Sequence, residues 1–416
     1  MVMVMVVMGE TATPAHAEPA AAGSLEADGN DEVLTSKFTY YSGRTLADPS
    51  KTMIFSGNGN VPLAEDIAKY LGVSLGNMNV SSFADGECSI KVNENIRGKH
   101  VILVQSTCPP SVNDSLMELL LMISTMRRSS AKTITVVMPY CGYARSDMKR
   151  GRERSPIAAR DIMTMIETMG ADRLVCVDMH SGQMQGFLSP AVPSDNITAI
   201  KVGALYFAEK MVNVPDSASE DAPRRNVVVV APDEKAVSRA KEFWNVLIEK
   251  GVPEARFAMV LRKPNLEEQE RKEQPQSAAA VSATSVDTDP STALEHEIVG
   301  DEEAIADCDA IIVQDIIDSG QSMSNAASAL KAGGARNVYG FATHGLFSRD
   351  ALERIDRAPL DHVVVSNTAS HPIGYEDKPT DKITWISIAP LLAEVLRIIS
   401  EKESLNPVFR LPKEQQ

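Results

Sequence analysis

Residues 310–323 read AIIVQDIIDSGQSM, and the fold and a ligand site can both be predicted outwards from this stretch. A short apolar run leads into two aspartates, Asp315 and Asp318, and then into small polar residues. Such a run predicts a buried strand, here residues 310–314, that ends in a polar loop. In open α/β sheets, ligands bind in the crevice beyond the carboxyl ends of the strands. The loop after this strand is therefore a candidate ligand site.

The same pattern recurs along the chain, with amphipathic helical patterns between the apolar runs. Regular alternation of strand and helix predicts βαβ units and mainly parallel sheets. We predict an α/β fold with two similar tandem domains, residues 52–198 and 199–383, and we expect residues 384–409 to return to the first domain. The predicted strands are 101–105, 133–140, 173–180, 226–232, 310–314, 337–344, 361–368 and 382–388.

Two segments lack this alternation. Residues 1–51 open with MVMVMVVM, an apolar run too short to span a bilayer. We expect a disordered leader there, and a secretory signal remains the alternative because Ala-His-Ala follows. Residues 264–303 have no periodicity and many small polar and acidic residues, so we expect a disordered acidic insertion.

The net charge of −15 is concentrated in the same two segments. Residues 1–50 carry seven acids and two bases, and residues 264–303 carry eleven acids and two bases. The rest of the chain is nearly neutral and has no basic stripe, so we predict neither a nucleic-acid partner nor a membrane partner. The five cysteines form no CxxC pair, which predicts reduced thiols and a cytoplasmic location.

The loop that follows the strand at 310–314 is predicted to bind phosphate. Backbone N–H groups at the start of the next helix, together with two hydroxyls, suit an anion. Asp315 and Asp318 can accept hydrogen bonds from vicinal hydroxyls, so the combination describes a pentose phosphate. An Asp-Ser-Gly helix cap without a ligand is the structural alternative. The predicted phosphate loop consists of Ser319, Gly320, Gln321 and Ser322.

This loop resembles the phosphoribosyl-binding loop of type I phosphoribosyltransferases and of ribose-phosphate diphosphokinases. Further segments are similar to the diphosphokinases, and matching stretches extend over about 53–262 and 304–409. The resemblance implies a phosphoribosyltransferase-like fold and a homo-oligomer, from dimer to hexamer, or a hetero-oligomer with paralogous subunits. The similar segments are FADGECSIKVNENIRG (83–98), PYCGYARSD (139–147), VDMHSGQMQGF (177–187) and AEVLRIISEKES (393–404).

The resemblance also implies a reaction. A pyrophosphoryl group passes from ATP to the 1-hydroxyl of ribose 5-phosphate, with Mg²⁺ as the cofactor, and AMP leaves. Transfer of this kind asks the protein mainly for alignment and charge neutralisation. The sequence contains no GxxxxGK[ST] loop, so ATP must be held in another way than in P-loop enzymes.

For ATP, the resemblance indicates two segments. Phe83 offers a stacking face to adenine, while Asp85 and Glu87 can accept hydrogen bonds from its amine, across a subunit boundary. Without the resemblance, this FADGE stretch is predicted to be an exposed turn. Arg145 is implied to counter phosphate charge, with Ser146 beside it where the family often has glutamine. A surface ion pair is the alternative for Arg145.

The resemblance further indicates metal and catalytic residues. His180 and Asp233 stand at the family's magnesium-associated positions, and Asp178 lies two residues before His180 at the end of a predicted strand. A structural histidine is the alternative for His180. Arg262 stands where the family has a catalytic lysine, and Lys263 is the neighbouring candidate.

Four departures from the family pattern leave a second function open. Arg262 and Pro264 replace a lysine and an arginine, and the acidic insertion replaces the catalytic flexible loop. Lys235-Ala236 stand where the family usually has Gly-Gly, and Gln314 replaces the first acid of the ribose loop, where it accepts a hydrogen bond without charge. These changes resemble the family's non-catalytic associated subunits, so the alternatives to an active enzyme are a regulatory subunit and a base-transferring phosphoribosyltransferase.

Overall fold

The computed structural model describes residues 44–149, 154–209, 226–262, 296–299, 305–372, 375 and 380–409. The strands are Thr52–Ser56 (β1), Met78–Ser82 (β2), Cys88–Val92 (β3), His100–Val104 (β4), Thr133–Met138 (β5), Arg173–Val177 (β6), Ser194–Ile197 (β7), Val227–Ala231 (β8), Arg256–Arg262 (β9), His296–Val299 (β10), Asp309–Ile317 (β11), Asn337–Gly345 (β12), His362–Ser366 (β13) and Ile383–Ile386 (β14). The helices are Val61–Leu71 (α1), Val112–Arg128 (α2), Ala158–Met169 (α3), Ile200–Phe207 (α4), Val237–Glu249 (α5), Gln321–Ala332 (α6), Ala351–Arg357 (α7), Ala389–Glu401 (α8) and Asn406–Phe409 (α9).

The strands form two large sheets. The first is parallel throughout, in the order β1-β4-β5-β6-β7. The second has the order β10-β9-β8-β11-β12-β13-β14, and β10 alone runs antiparallel to its neighbour. Strands β2 and β3 form a separate antiparallel hairpin. The predicted α/β fold with mainly parallel sheets is therefore confirmed.

Both large sheets are covered by helices on their two faces. This explains why their central strands are apolar at consecutive positions. Strand β8 reads VVVVA and all five residues are buried, as expected where a parallel sheet is covered on both sides. One hydrophobic cluster is shared between the sheets and includes residues of α1, α4, α5 and α8. The outer face of the first sheet packs on α2 and α3, and the outer face of the second packs on α6 and α7.

Three predicted boundaries differ from the structure. Strand β14 pairs with β13 in the second sheet, whereas α8 packs against α1 beside the first sheet, so only the helix of residues 384–409 returns to the first unit. Of the predicted leader, residues 44–51 are structured, with Leu46 in the shared core, and residues 1–43 lie outside the described residues. Of the predicted disordered insertion, residues 296–299 form β10 against β9 because Ile298 packs on the core. The remaining limits of the two domains stay predictions.

No helix within the described segments is long and apolar enough to cross a membrane.

Arg397 in α8 forms a buried ionic cluster, from which a stability prediction follows. Its side chain is 3% exposed and donates to Glu394, Glu401 and Glu403. Replacing it with methionine would remove the buried positive charge and one hydrogen-bond donor from each of these carboxylates, which typically costs about 1–3 kcal/mol or more. We expect urea unfolding of Arg397→Met to show a loss of about 2 kcal/mol. A variant as stable as the wild type would contradict this role.

Candidate active site

The candidate site lies where β11 of the second sheet meets the loops of the first sheet. Strand β11 extends three residues beyond the predicted end at residue 314, because Ile316 and Ile317 pair with His344 and Gly345 of β12. Asp315 therefore lies within the strand and not in the following turn. Gln314 is buried and its side-chain amide donates to the carbonyl of Ile316 at 3.0 Å, so it stabilises this strand end.

The predicted phosphate loop connects β11 to α6. Gly320 has a φ of +75°, in the left-handed region that favours glycine, and α6 begins at Gln321 as predicted. The Ser319 hydroxyl accepts from the backbone N–H of Gln321 at 3.4 Å, and Arg354 of α7 donates to the Ser319 carbonyl. Ser322 is exposed in the first turn of the helix. The hydroxyls of Ser319 and Ser322 are therefore exposed beside the first backbone N–H groups of α6.

Each aspartate of this region pairs with a basic side chain from the first sheet. Arg145 lies 2.6 Å from Asp318 through Nη1 and Oδ2. The Nδ1 atom of His180 lies 2.6 Å from Oδ2 of Asp315. The structure therefore brings together residues that the sequence assigned separately to nucleotide, metal and ribose. The pairs join the two halves of the chain at the carboxyl ends of their strands.

Both aspartates are held in the ionised form. Burial alone would raise the pKa of Asp315, but the hydrogen bond with His180 and the charge of Arg239 outweigh it and lower the pKa to about 2. For Asp318 burial again opposes ionisation, and hydrogen bonds from Ser348 and Arg145 lower the pKa overall. The site therefore offers two carboxylates that accept hydrogen bonds at neutral pH.

The lowered pKa of Asp315 predicts an acid-dependent stability. A fall from the ordinary 3.8 to about 2 stabilises the folded chain by roughly 2 kcal/mol. A depressed carboxyl pKa stabilises above the unfolded value, so this contribution is lost as the pH falls from about 4 to about 2. In denaturant titrations across that range, we expect the wild type to lose about 2 kcal/mol more than Asp315→Asn. Equal losses would show that Asp315 is not stabilised by its partners.

A cavity of about 570 Å³ adjoins the Arg145–Asp318 pair. Its walls are largely apolar and aromatic, and they come from loops that follow strands of both sheets. Arg145, Ser146 and Ser348 supply polar groups. The other lining residues are Pro109, Val112, Tyr140, Gly142, Tyr143, Met148, Ser155, Pro156 and Leu346. A mostly apolar cleft with a few convergent polar groups is typical of small-molecule sites.

Comparisons with known proteins identify the family. Two family models match the chain: the N-terminal domain of ribose phosphate pyrophosphokinase over residues 52–170, and the phosphoribosyl synthetase-associated domain over residues 223–410. The ribose-phosphate pyrophosphokinase of Listeria ivanovii is 38% identical over 363 residues, which cover 87% of this chain and 98% of that protein. The ribose-phosphate pyrophosphokinase of Bacillus caldolyticus is 36% identical over 357 residues, with coverage of 86% and 97%.

The chain belongs to the ribose-phosphate pyrophosphokinase family. A solved structure agrees: phosphoribosylpyrophosphate synthetase from Mycobacterium smegmatis matches with a TM-score of 0.69 and 31% identity, over 85% of this chain and 99% of that one. The predicted family, its transferase class and the phosphoribosyltransferase-like fold are thereby confirmed.

In this chain, Asp178 is buried next to the candidate site. Its carboxylate is buried, and Oδ2 accepts from Thr343 Oγ1 at 2.6 Å and from the Ala199 N–H at 2.9 Å. Its backbone has a φ of +39°, which is strained for an L-residue, and its carbonyl accepts from His344 Nε2 at 3.2 Å. These contacts favour a structural role for Asp178, and the metal role stays a prediction.

The other metal candidates do not form a ready-made cage. Asp233 follows β8, is exposed, and accepts from the Ala236 N–H at 3.0 Å through Oδ1. Within the described part of the chain, no three His, Cys, Asp or Glu residues are grouped for a metal. Magnesium typically takes one or two carboxylates and several phosphate oxygens, so a sparse set of acids fits an ion that arrives with a nucleotide.

The structure does not bring the FADGE loop into the cavity. This loop is the turn of the β2–β3 hairpin, and Phe83 at its start is 59% exposed. Its hydrogen bonds close the turn: the Phe83 N–H donates to the Glu87 carbonyl at 2.7 Å, and the Glu87 N–H donates to Asp85 Oδ1 at 3.1 Å. None of the described cavity-lining residues comes from this hairpin. Its adenine role stays a prediction that needs a second subunit.

The two catalytic candidates are placed only in part. Arg262 is the last residue of β9 and pairs with His296 of β10. The side chain of Arg262 and the whole of Lys263 lie outside the described residues. Their catalytic role therefore stays a prediction.

Sequence reasoning missed three residues that contact the site. The backbone N–H of Ser348 donates to the Asp318 carbonyl at 2.9 Å, and its side chain hydrogen-bonds the Asp318 carboxylate. Arg354 contacts the phosphate loop, and Arg239 lies 3.6 Å from Asp315. Ser348 and Arg354 follow β12, and Arg239 follows β8, so the signal was their position beyond strand ends next to β11.

Proposed function

We propose that this chain catalyses the transfer of pyrophosphate from ATP to the 1-hydroxyl of ribose 5-phosphate, which gives 5-phosphoribosyl 1-pyrophosphate and AMP for nucleotide biosynthesis. The observation that carries the proposal is the pair of ionised aspartates, Asp315 and Asp318, directly before the helix start at Gln321. Family membership supports the same reaction, because the related proteins are named for it.

Ribose 5-phosphate would bind across the end of β11. The 5-phosphate would accept hydrogen bonds from backbone N–H groups and hydroxyls of the loop from Ser319 to Ser322, where the dipole of α6 favours an anion. Asp315 and Asp318 would accept hydrogen bonds from the 2- and 3-hydroxyls, since charge-assisted hydrogen bonds of this kind are short and strong. Gln314 would stabilise the end of β11 through its hydrogen bond to the Ile316 carbonyl.

ATP would bind with its base towards the cavity and its phosphates towards Arg145. The cavity is large enough for a nucleobase, and Arg145 and Ser146 lie in its wall. A guanidinium at that place neutralises phosphate charge and can bind two oxygens at once. The exposed Phe83 hairpin of a second subunit would complete the ATP site. The expected homo-oligomer, or a hetero-oligomer with paralogous subunits, would therefore be needed for nucleotide binding.

Magnesium would be held mainly by the ATP phosphates, with His180, Asp233 and the neighbouring acids as the nearby protein groups. When bound, it neutralises charge on the phosphate oxygens. Arg262 or Lys263 would add positive charge near the transferred group.

All five cysteines are free thiols, which supports a cytoplasmic enzyme.

The purified chain tests the proposal directly. With Mg²⁺, ATP and ribose 5-phosphate we expect one AMP for each sugar consumed, and no AMP when ribose 5-phosphate is omitted. The absence of AMP, combined with a changed rate of a paralogous synthetase after mixing, would favour the regulatory subunit instead. Formation of ADP and a sugar diphosphate would indicate an ordinary kinase and contradict the proposed reaction.

A further inference from the structure

The side chain of Arg239, which is not among the predicted site residues, contacts two backbone carbonyls and one carboxylate of the site. Arg239 lies near the start of α5, and its side chain is 15% exposed. Its Nη2 donates to the carbonyls of Met179 at 3.2 Å and of His180 at 3.0 Å. The same nitrogen lies 3.6 Å from Oδ2 of Asp315. One guanidinium therefore links the loop after β6 in the first sheet to β11 in the second.

The loop after β6 depends on side chains for its shape. Strand pairing ends at Val177, and the next residue, Asp178, has a φ of +39°. Three consecutive carbonyls then accept hydrogen bonds from the second half of the chain: that of Asp178 from His344, and those of Met179 and His180 from Arg239. These bonds fix the backbone that carries the His180 ring.

We propose that Arg239 is a positioning residue, which holds His180 and Asp315 in register for the pyrophosphoryl transfer proposed above. An arginine suits this role because its planar fork has five N–H donors and keeps its charge at all relevant pH values. Its donors satisfy the two carbonyls while its charge faces Asp315 beside the Nδ1 atom of His180. A lysine would keep the charge, but its side chain is one bond shorter, so its ammonium cannot occupy the position from which Nη2 contacts both carbonyls and faces Asp315.

Two variants and one matched control test the proposal. In Arg239→Gln we expect kcat to fall roughly ten- to hundred-fold. Losses of this size are typical when a residue that orients a ligand-binding side chain is removed. The KM for ribose 5-phosphate should rise by a smaller factor, and the thermal midpoint should fall by only a few degrees, so that the variant stays folded in the assay. Arg239→Lys should lie between Arg239→Gln and the wild type. The control is Arg357→Gln on α7, which removes an exposed ion pair with Glu353 and should leave kcat unchanged.

A second readout is independent of turnover. The ring resonances of His180 can be assigned by their loss in His180→Asn, since the chain has seven histidines. In the substrate-free protein, they should shift in both Arg239 variants and stay in place in Arg357→Gln. Wild-type kcat with unshifted His180 resonances in either folded Arg239 variant would overturn the proposal. If the wild type made no AMP, the proposed function would fail, while the resonances would still decide the role of Arg239.

Discussion

The Asp315→Asn variant is expected to lose about a thousandfold in kcat/KM for ribose 5-phosphate. The change removes a half-buried charge that faces both His180 and Arg239. Truncating one partner of a buried, hydrogen-bonded charge pair at a binding site costs about 2–5 kcal/mol of binding free energy, and about 4 kcal/mol lost from transition-state binding is a thousandfold in kcat/KM. The proposed partner of a ribose hydroxyl is weakened in the same step. Steady-state kinetics with varied ribose 5-phosphate measures the loss.

Asp309→Asn is the matched control for this prediction. Asp309 lies at the other end of β11, is buried, and accepts from Asn337 at 2.8 Å. Its replacement should lower stability and leave kcat/KM within about twofold, because Asp309 lies at the opposite end of β11 from Asp315. Equal losses of kcat/KM in the two variants would show that the effect comes from strand stability and not from the site.

The Arg262→Ala variant is expected to lower kcat by roughly a hundred- to a thousandfold, the range found when one group that stabilises a transition state is removed. The reason is that Arg262 ends β9, the strand that pairs with β8, and that its charge suits a transferring phosphate group. Lys263→Ala should have a smaller effect. Arg262→Lys should keep activity close to that of the wild type, since it retains the positive charge and restores the lysine that the resemblance implies at this position.

Arg256→Ala is the control for this second prediction, since Arg256 begins the same strand at the opposite edge of the sheet. We expect it to retain kcat. If neither Arg262→Ala nor Lys263→Ala changed kcat, the catalytic assignment of both residues would be rejected. The positive charge for the transfer would then have to come from another part of the chain.

The fold was predictable because its signals are local. Runs such as VVVVA in β8 are apolar throughout, and a glycine in the left-handed conformation ends helices such as α3 at Gly170. The end of β11 was predicted too early, because Asp315 looks like a loop residue. Its strand conformation is imposed by β12, through the pairing of Ile316 and Ile317, and no local pattern reports that pairing.

The candidate site was predictable in its parts but not in its connections. Asp315, Asp318, Arg145 and His180 were all chosen from the sequence, and the structure brings them together. That each aspartate pairs with a basic residue from the other half of the chain depends on how the two sheets meet. Arg239 was missed for the same reason, since its contacts lie about sixty residues before it in the chain.

The central claim is that the 1-oxygen of a sugar phosphate held at the end of β11 attacks the β-phosphorus of ATP. Ribose 5-phosphate labelled with ¹⁸O at the 1-hydroxyl tests it most directly, with the products analysed by ³¹P NMR and mass spectrometry. The account predicts that the label stays in the bridge between the sugar and the new pyrophosphate, with none in AMP. Label in AMP, or a product that carries less label than the ribose 5-phosphate remaining at the same time point, would contradict it.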